Sequence, residues 1–259
     1  PFFSQNWIDA KVTSGKQGGA YCMGVTPEHH PYVFMNYNGS MRDVTTLAHE
    51  LGHGIHDILA NQQNLLNYHP VLPLAETAST FAEMLVFDKL QNQLTSAQDQ
   101  LALLCSKTED TFATVFRQIA MFRFERSAHD LRRYSGEQTV TAYGELWQKK
   151  QQEMFGDSLK LGAEHSYWWL YIPHVYRTPF YVYAYAFGEL LVLSLYAQYR
   201  KEGDAFVSRY FDLLRAGGSD SPANLVSAVG FDIEDPNFWQ SGFDLIRRRV
   251  DLATELAGG

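Results

Sequence analysis

A mainly α-helical fold is what this sequence predicts, on three observations. Apolar residues recur at helical spacing through most of the chain after residue 40, beginning with Val44, Leu47, Ala48, Leu51, Ile55, Ile58 and Leu59. Helix start signals stand before such runs, as where Ser40 precedes Asp43 in the order of a capping box. Strand signals are confined to the N-terminal part, where GKQGGAY (15–21) and PYVFMNYNG (31–39) are rich in glycine, aromatic and turn residues.

In chain order, 32–36 reads as a short strand closed by the Asn38-Gly39 turn. The helix capped by Ser40 follows and carries the apolar set to Leu59. After the punctuation of Pro70 and Pro73, a second helix is expected through LAETASTFAEMLVFDKL (74–90). Further helices are expected over roughly 96–133, 138–155, 180–200, 204–215 and 236–256. The aromatic segment 167–187 has little charge, yet Pro173, His174, Arg177 and Pro179 mark it as a buried wall rather than a membrane span, and Glu189 interrupts the apolar run after it.

Length and composition bound the possibilities. At 259 residues, with 46% hydrophobic and 19% charged residues, the chain can bury a substantial core. A net charge of -8 argues against nucleic acid and against an anionic membrane surface as partners. Cys22 and Cys105 are too few for a disulfide framework, which points to a reducing, cytoplasmic setting. The start at Pro-Phe-Phe, with no Met and no signal-like segment, suggests a piece of a longer protein.

The chemistry concentrates in TLAHELGHGIHDI (46–58). At about 100° per residue, His49, His53 and His56 fall together on one side of the helix, the apolar set on another, and Glu50 points away from both. His49 and His53, at i and i+4, put two imidazoles within reach of one cation, and HELGH matches HExxH. Glu50, directly after the first ligand, can then take a proton from the water that such a cation activates. Gly52 and Gly54 each cost a helix interior about 1 kcal/mol relative to Ala, so some neighbour must approach closely there. A catalytic zinc needs a third protein ligand. Glu76 and Glu83 share a face of the second helix, and spacing does not choose between them.

Other groups offer weaker alternatives. Glu50 and His53 also form a Glu-x-x-His pair of the di-iron type, but no second such pair exists in the sequence. GKQGGAY lacks the order of a phosphate loop; its glycines read as letting a loop pass close to the site, and the nearby strand 32–36 is expected to offer its edge to an extended peptide. Cys22 has no obvious base, so a cysteine hydrolase is disfavoured. His29 and His30 read as solvated loop residues, and Arg247 to Arg249 as a solvated face.

With these residues in view, TLAHELGHGIH followed by LPLAETASTFAEML resembles the zinc metallopeptidases of the thimet oligopeptidase and oligoendopeptidase F family, its oligoendopeptidase F branch above all. The similarity extends to GKQGGAY, YVFMNYNG and IPHVYRTPFYVYAYAFGE, roughly residues 10 to 190. The resemblance implies a zincin-type helical catalytic lobe over residues 1–259 with a small β element near its N-terminus, and a further N-terminal lobe elsewhere in the full protein. It makes Glu76, in the E-x-x-S segment ETAS, the third ligand beside His49 and His53, and leaves Glu83 a supporting carboxylate. It implies one zinc ion per chain and hydrolysis of short peptides with Glu50 as base. It further implies a His and Tyr cluster that stabilises the oxyanion, read here as His174, Tyr181 and Tyr185. A carboxypeptidase-type cutter of the same family and a non-catalytic zinc- or peptide-binding module are the alternatives; the presence of Glu50 speaks against the second.

Overall fold

A computed structural model describes residues 1–258. In chain order the elements are strands β1 (Ile8–Asp9), β2 (Tyr21–Met23) and β3 (Tyr32–Phe34), then helices α1 (Met41–Ala60), α2 (Leu65–Tyr68), α3 (Leu72–Ala75), α4 (Thr77–Gln93) and α5 (Ala97–Thr111). A π-helical segment (Phe112–Arg117) leads into α6 (Gln118–Ser135), followed by α7 (Val140–Phe155), a 3-10 segment (Ala163–Tyr171) and α8 (Pro173–Arg177). The chain continues with α9 (Tyr183–Glu202), α10 (Asp204–Arg215), α11 (Pro222–Ala228) and α12 (Pro236–Leu256). Two compact units result: Pro1–Cys105 with the chain from Gly188 onward, and Ser106–Phe187.

In the first unit the sheet order is β1-β3-β2, with β3 parallel to β1 and antiparallel to β2. The strand expected over 32–36 is therefore the middle one, and β2 is an edge. Val33 and Met35 point inward at 2% and 1% exposure. The loop glycines of GKQGGAY do not serve a close approach, because a Cβ on Gly15, Gly18 or Gly19 would meet nothing within 4 Å; Gly15 and Gly19 instead adopt φ of +81° and +94°.

Helix α1 begins as its sequence dictates, with a capping box in which Ser40 accepts from the Asp43 N–H and Asp43 accepts from the Ser40 N–H. Its buried residues are Ala48, Glu50, Gly52, Gly54, His56 and Ala60, while Ile55 of the apolar set stays 44% exposed. The apolar stripe thus marks the helix correctly without marking its tightest contacts. Those contacts fall where side chains are small, because α4 and the N-terminal segment come close enough to exclude a Cβ: one on Gly52 would fall 2.5 Å from the Ala78 carbonyl oxygen, and one on Gly54 2.5 Å from the Phe2 ring.

The helix expected over 74–90 is interrupted. Glu76 ends α3 and caps α4 at φ -86°, ψ 2°, outside helical geometry. Behind α4, residues 190–197 of α9 are buried on every side, which suits a central helix. Phe81 stacks on Tyr210 at 4.4 Å, and the Tyr210 hydroxyl donates to the Thr77 carbonyl at 2.9 Å, fixing the start of α4. Arg249 corrects the expectation of a solvated face: it is 8% exposed, with its guanidinium 5.3 Å from the Phe87 ring. Arg247 and Arg248 are exposed. His30 is likewise only half-buried and stacks on Trp7 at 4.3 Å, whereas His29 is exposed.

The second unit is built on Phe124, Trp147, Met121, Ile172 and Val182, with Trp147 edge-on to Phe124 at 5.2 Å. Among the described residues, no helix is long and apolar enough to cross a membrane.

Candidate metal centre

Three side chains from two helices converge in the first unit. His49 Nε2 and His53 Nε2 are 3.1 Å apart, and Glu76 Oε2 lies 3.3 Å from the first and 3.4 Å from the second. Zinc bonds of about 2.0–2.1 Å in a tetrahedron require ligand-to-ligand edges of about 3.3 Å, so this triangle has the dimensions of one tetrahedral face. Among the described residues it is the only group of three or more candidate ligand side chains so gathered.

Each of the three side chains is held by a second contact. His49 Nδ1 is 2.6 Å from Glu83 Oε1, which directs its Nε2 lone pair into the triangle. The His53 ring is hydrogen-bonded to the main chain of Ala75. Ser79 Oγ donates to Glu76 Oε2 at 2.6 Å from a fully buried position, which explains the serine of ETAS. Sequence reasoning assigned Ser79 no role, nor the Ala75 main chain; the spacing of three residues between Glu76 and Ser79 on one helical turn was the available signal. The break at Glu76 presents its carboxylate from a helix start, next to the Ser79 hydroxyl.

Electrostatics follow from burial and neighbouring charge. Burial opposes protonation of His49, but the Glu83 hydrogen bond and the charges of Glu76 and Glu83 outweigh it and set the imidazole above its ordinary range. For His53 burial prevails and lowers it. Burial raises the Glu50 carboxyl, opposed by His49 and aided by Glu76. Glu50 is 5% exposed, accepts from the Cys22 main-chain N–H, and its Oε2 is buried with no hydrogen-bond partner. It does not turn away from the histidines, as the helix wheel expects. It shares with His49, His53, Glu76, Cys22 and Asp57 the wall of one cavity of about 450 Å³.

The remaining residues of the motif divide. His56 is buried, hydrogen-bonds the Leu214 main chain and lies outside the ligand triangle. Burial, with the His53 charge, pushes it down to about 4. The fold therefore holds His56 neutral where the unfolded chain, at 6.5, would be protonated. Unfolding takes up a proton in that window, so stability is fully present above about pH 6.5 and is lost as pH falls towards 4, by on the order of 3 kcal/mol. Urea midpoints at pH 7, 5.5 and 4.5 should fall more steeply for the parent than for His56→Gln; equal slopes would refute this role.

The surroundings of Cys22 disfavour the thiolate that a nucleophile needs. Burial, with the negative charge of Asp57, pushes its thiol up to about 12. In the second unit, His174, Tyr181 and Tyr185 form their own cluster: the Tyr185 hydroxyl is 3.4 Å from His174 Nε2, the His174 and Tyr181 rings stack at 5.8 Å, and the two tyrosines meet edge-on at 5.2 Å.

Known proteins resemble this chain along nearly its whole length. A model of peptidase family M3 matches residues 1–245. Oligopeptidase PepF of Bacillus subtilis (strain 168) is 31% identical over 251 residues, covering 96% of this chain and 37% of that protein. Chromosomal oligoendopeptidase F of Lactococcus lactis subsp. cremoris is 30% identical over 257 residues, covering 98% and 42%. A crystal structure from Chlamydophila abortus superposes with a TM-score of 0.90 at 30% identity, covering 98% of this chain and 42% of that one. Oligoendopeptidase-F from Enterococcus faecium, 23% identical, shares the fold at a TM-score of 0.69 over 85% of this chain and 41% of its own. The chain spans about two fifths of the length of the curated relatives it matches. With the family model matched along nearly the whole sequence, and with a His-His-Glu triangle of metal-binding dimensions in its first unit, this chain belongs to peptidase family M3.

Proposed function

We propose that this chain is the catalytic lobe of a zinc-dependent oligoendopeptidase that cleaves internal bonds of short peptides in a reducing, cytoplasmic setting. The observation that carries the proposal is the triangle of His49, His53 and Glu76, with edges of 3.1 to 3.4 Å, beside a buried carboxylate oxygen of Glu50 that has no partner. His49, His53 and Glu76 would hold a zinc ion, which would supply a Lewis acid able to make water more acidic. Glu83 and Ser79 hold two of the ligands in place. Glu50 accepts the proton of the attacking water and returns it to the leaving amine. His174, Tyr181 and Tyr185 are proposed as oxyanion donors on the family resemblance and on their hydroxyl and imidazole chemistry. An extended peptide would add to the edge of β2, whose residues Tyr21 to Met23 line the same cavity.

Zinc content tests the ligand set. The parent should hold one zinc per chain, and His49→Ala, His53→Ala and Glu76→Ala should each lose it on dialysis. Glu83→Ala removes the partner of His49 Nδ1 but none of the three proposed ligands, so it should bind zinc about 10- to 100-fold more weakly without losing the site. Full zinc in the Glu76 variant with complete loss in the Glu83 variant would reverse the two carboxylates.

A further inference from the structure

Helix α1 and strand β2 meet at one point that leaves no space for adjustment. The carboxyl of Asp57, one turn after His53, lies against Gly24, the residue that follows β2. A Cβ on Gly24 would fall 2.4 Å from Asp57 Oδ2 and 2.5 Å from its Cγ. Gly24 does not have a positive φ, so it is the approach of the carboxyl that demands glycine. Cys22 Sγ approaches Asp57 Oδ2 at 3.9 Å as a weak donor. A Cβ on Gly54 of α1 would lie 3.5 Å from the same sulfur, so the helix leaves this thiol room on a second side. The main chain of Cys22 in turn donates its N–H to Glu50. Asp57, Gly24, Cys22 and Glu50 therefore form a continuous series of contacts between α1 and β2 along one cavity wall.

We propose that Asp57 is a positioning residue for Glu50: with Gly24 and Cys22 it clamps the edge strand β2 to α1, so that the Cys22 amide remains in register on the Glu50 carboxylate. The physical need is clear from the partners. One Glu50 oxygen has no protein donor, so the amide of Cys22 is what fixes the carboxylate's rotation. β2 is held by hydrogen bonds on one side only, through β3, and a shift of one residue would turn its alternating side chains over. A clamp from the helix that carries the base removes that freedom. The role rests on the peptidase function proposed above.

The test exploits shape. In the full-length, zinc-loaded protein, Asp57→Ala empties the niche at Gly24, and Gly24→Ala drives a methyl into the carboxyl. Each single variant should lower kcat on a fluorogenic peptide about 10- to 100-fold, the scale of a misplacement near 1 Å, with KM and zinc content close to those of the parent. Hydrogen exchange in a peptide covering residues 20–25 should accelerate in both. The double variant should recover most of the turnover and the protection, since the new methyl occupies the space the carboxyl vacated. Additive losses in the double variant, parent-like kcat in either single variant, or a kcat loss that follows zinc loss would each overturn the clamp. Failure of the peptidase function itself would look different: the parent would bind no zinc or cleave no peptide, while the exchange pattern would still report whether β2 is clamped.

Discussion

Glu50→Gln will keep the zinc content of the parent and lower peptide turnover by about 100- to 10,000-fold, the range of a positioned general base. The substitution preserves the shape of the side chain and touches none of His49, His53 or Glu76. What it removes is the ability to take a proton. The environment of Glu50 suits proton transfer, because burial raises its carboxyl towards the working pH and its Oε2 faces no protein donor. The Cys22 N–H contact is available to the amide oxygen of Gln, so the rotamer should hold. Because the missing interaction acts in the transition state, kcat should fall with KM little changed. Metal analysis and steady-state kinetics on the same preparation decide the matter. Parent-like turnover at full zinc occupancy would remove Glu50 from the mechanism.

Gly52→Ala should be strongly damaging for a single-methyl change. The added Cβ would sit 2.5 Å from the Ala78 carbonyl oxygen and 2.6 Å from the Ser79 Cα. Both belong to the backbone of α4, which cannot turn aside as a flexible side chain would. Helix propensity favours Ala over Gly by about 1 kcal/mol, while overpacking of a tight contact costs about 1–3 kcal/mol and more where backbone must move. The two helices must separate, and the separation falls on the Glu76–Ser79 and His49–Glu83 hydrogen bonds that cross or flank this contact. The expected result is a thermal midpoint lowered by about 2–4 °C per kcal/mol lost, together with zinc binding weakened by about 10- to 100-fold. Calorimetry and a chelator competition measure these separately. A variant more stable than the parent would show that propensity, not packing, governs position 52.

Several features were legible in the sequence because they depend on near neighbours. The capping box at Ser40 and Asp43, the i, i+4 pair of His49 and His53, and the helix ranges after residue 96 are local matters of hydrogen bonding and periodicity, and the structure shows them within a few residues. The glycines at 52 and 54 signalled a close approach, though not by what. The π-helical segment at Phe112–Arg117 falls inside the helix expected over 96–133 and left no mark on its apolar pattern.

By itself, then, the sequence determined a mainly helical chain and the helix that carries His49, Glu50 and His53, while the family resemblance pointed to Glu76. Tertiary structure alone decided which faces are buried and which elements are adjacent. It broke the second helix at Glu76, placed Ser79 against Glu76 and Glu83 against His49, made β2 rather than β3 an edge strand, brought Glu50 into the same cavity as the histidines, and buried Arg249 against Phe87. The physical reason is range: capping and helical spacing are settled within four or five residues, whereas each of these placements depends on contacts between elements from β2 to α12, and no local pattern records which surfaces the rest of the chain will cover.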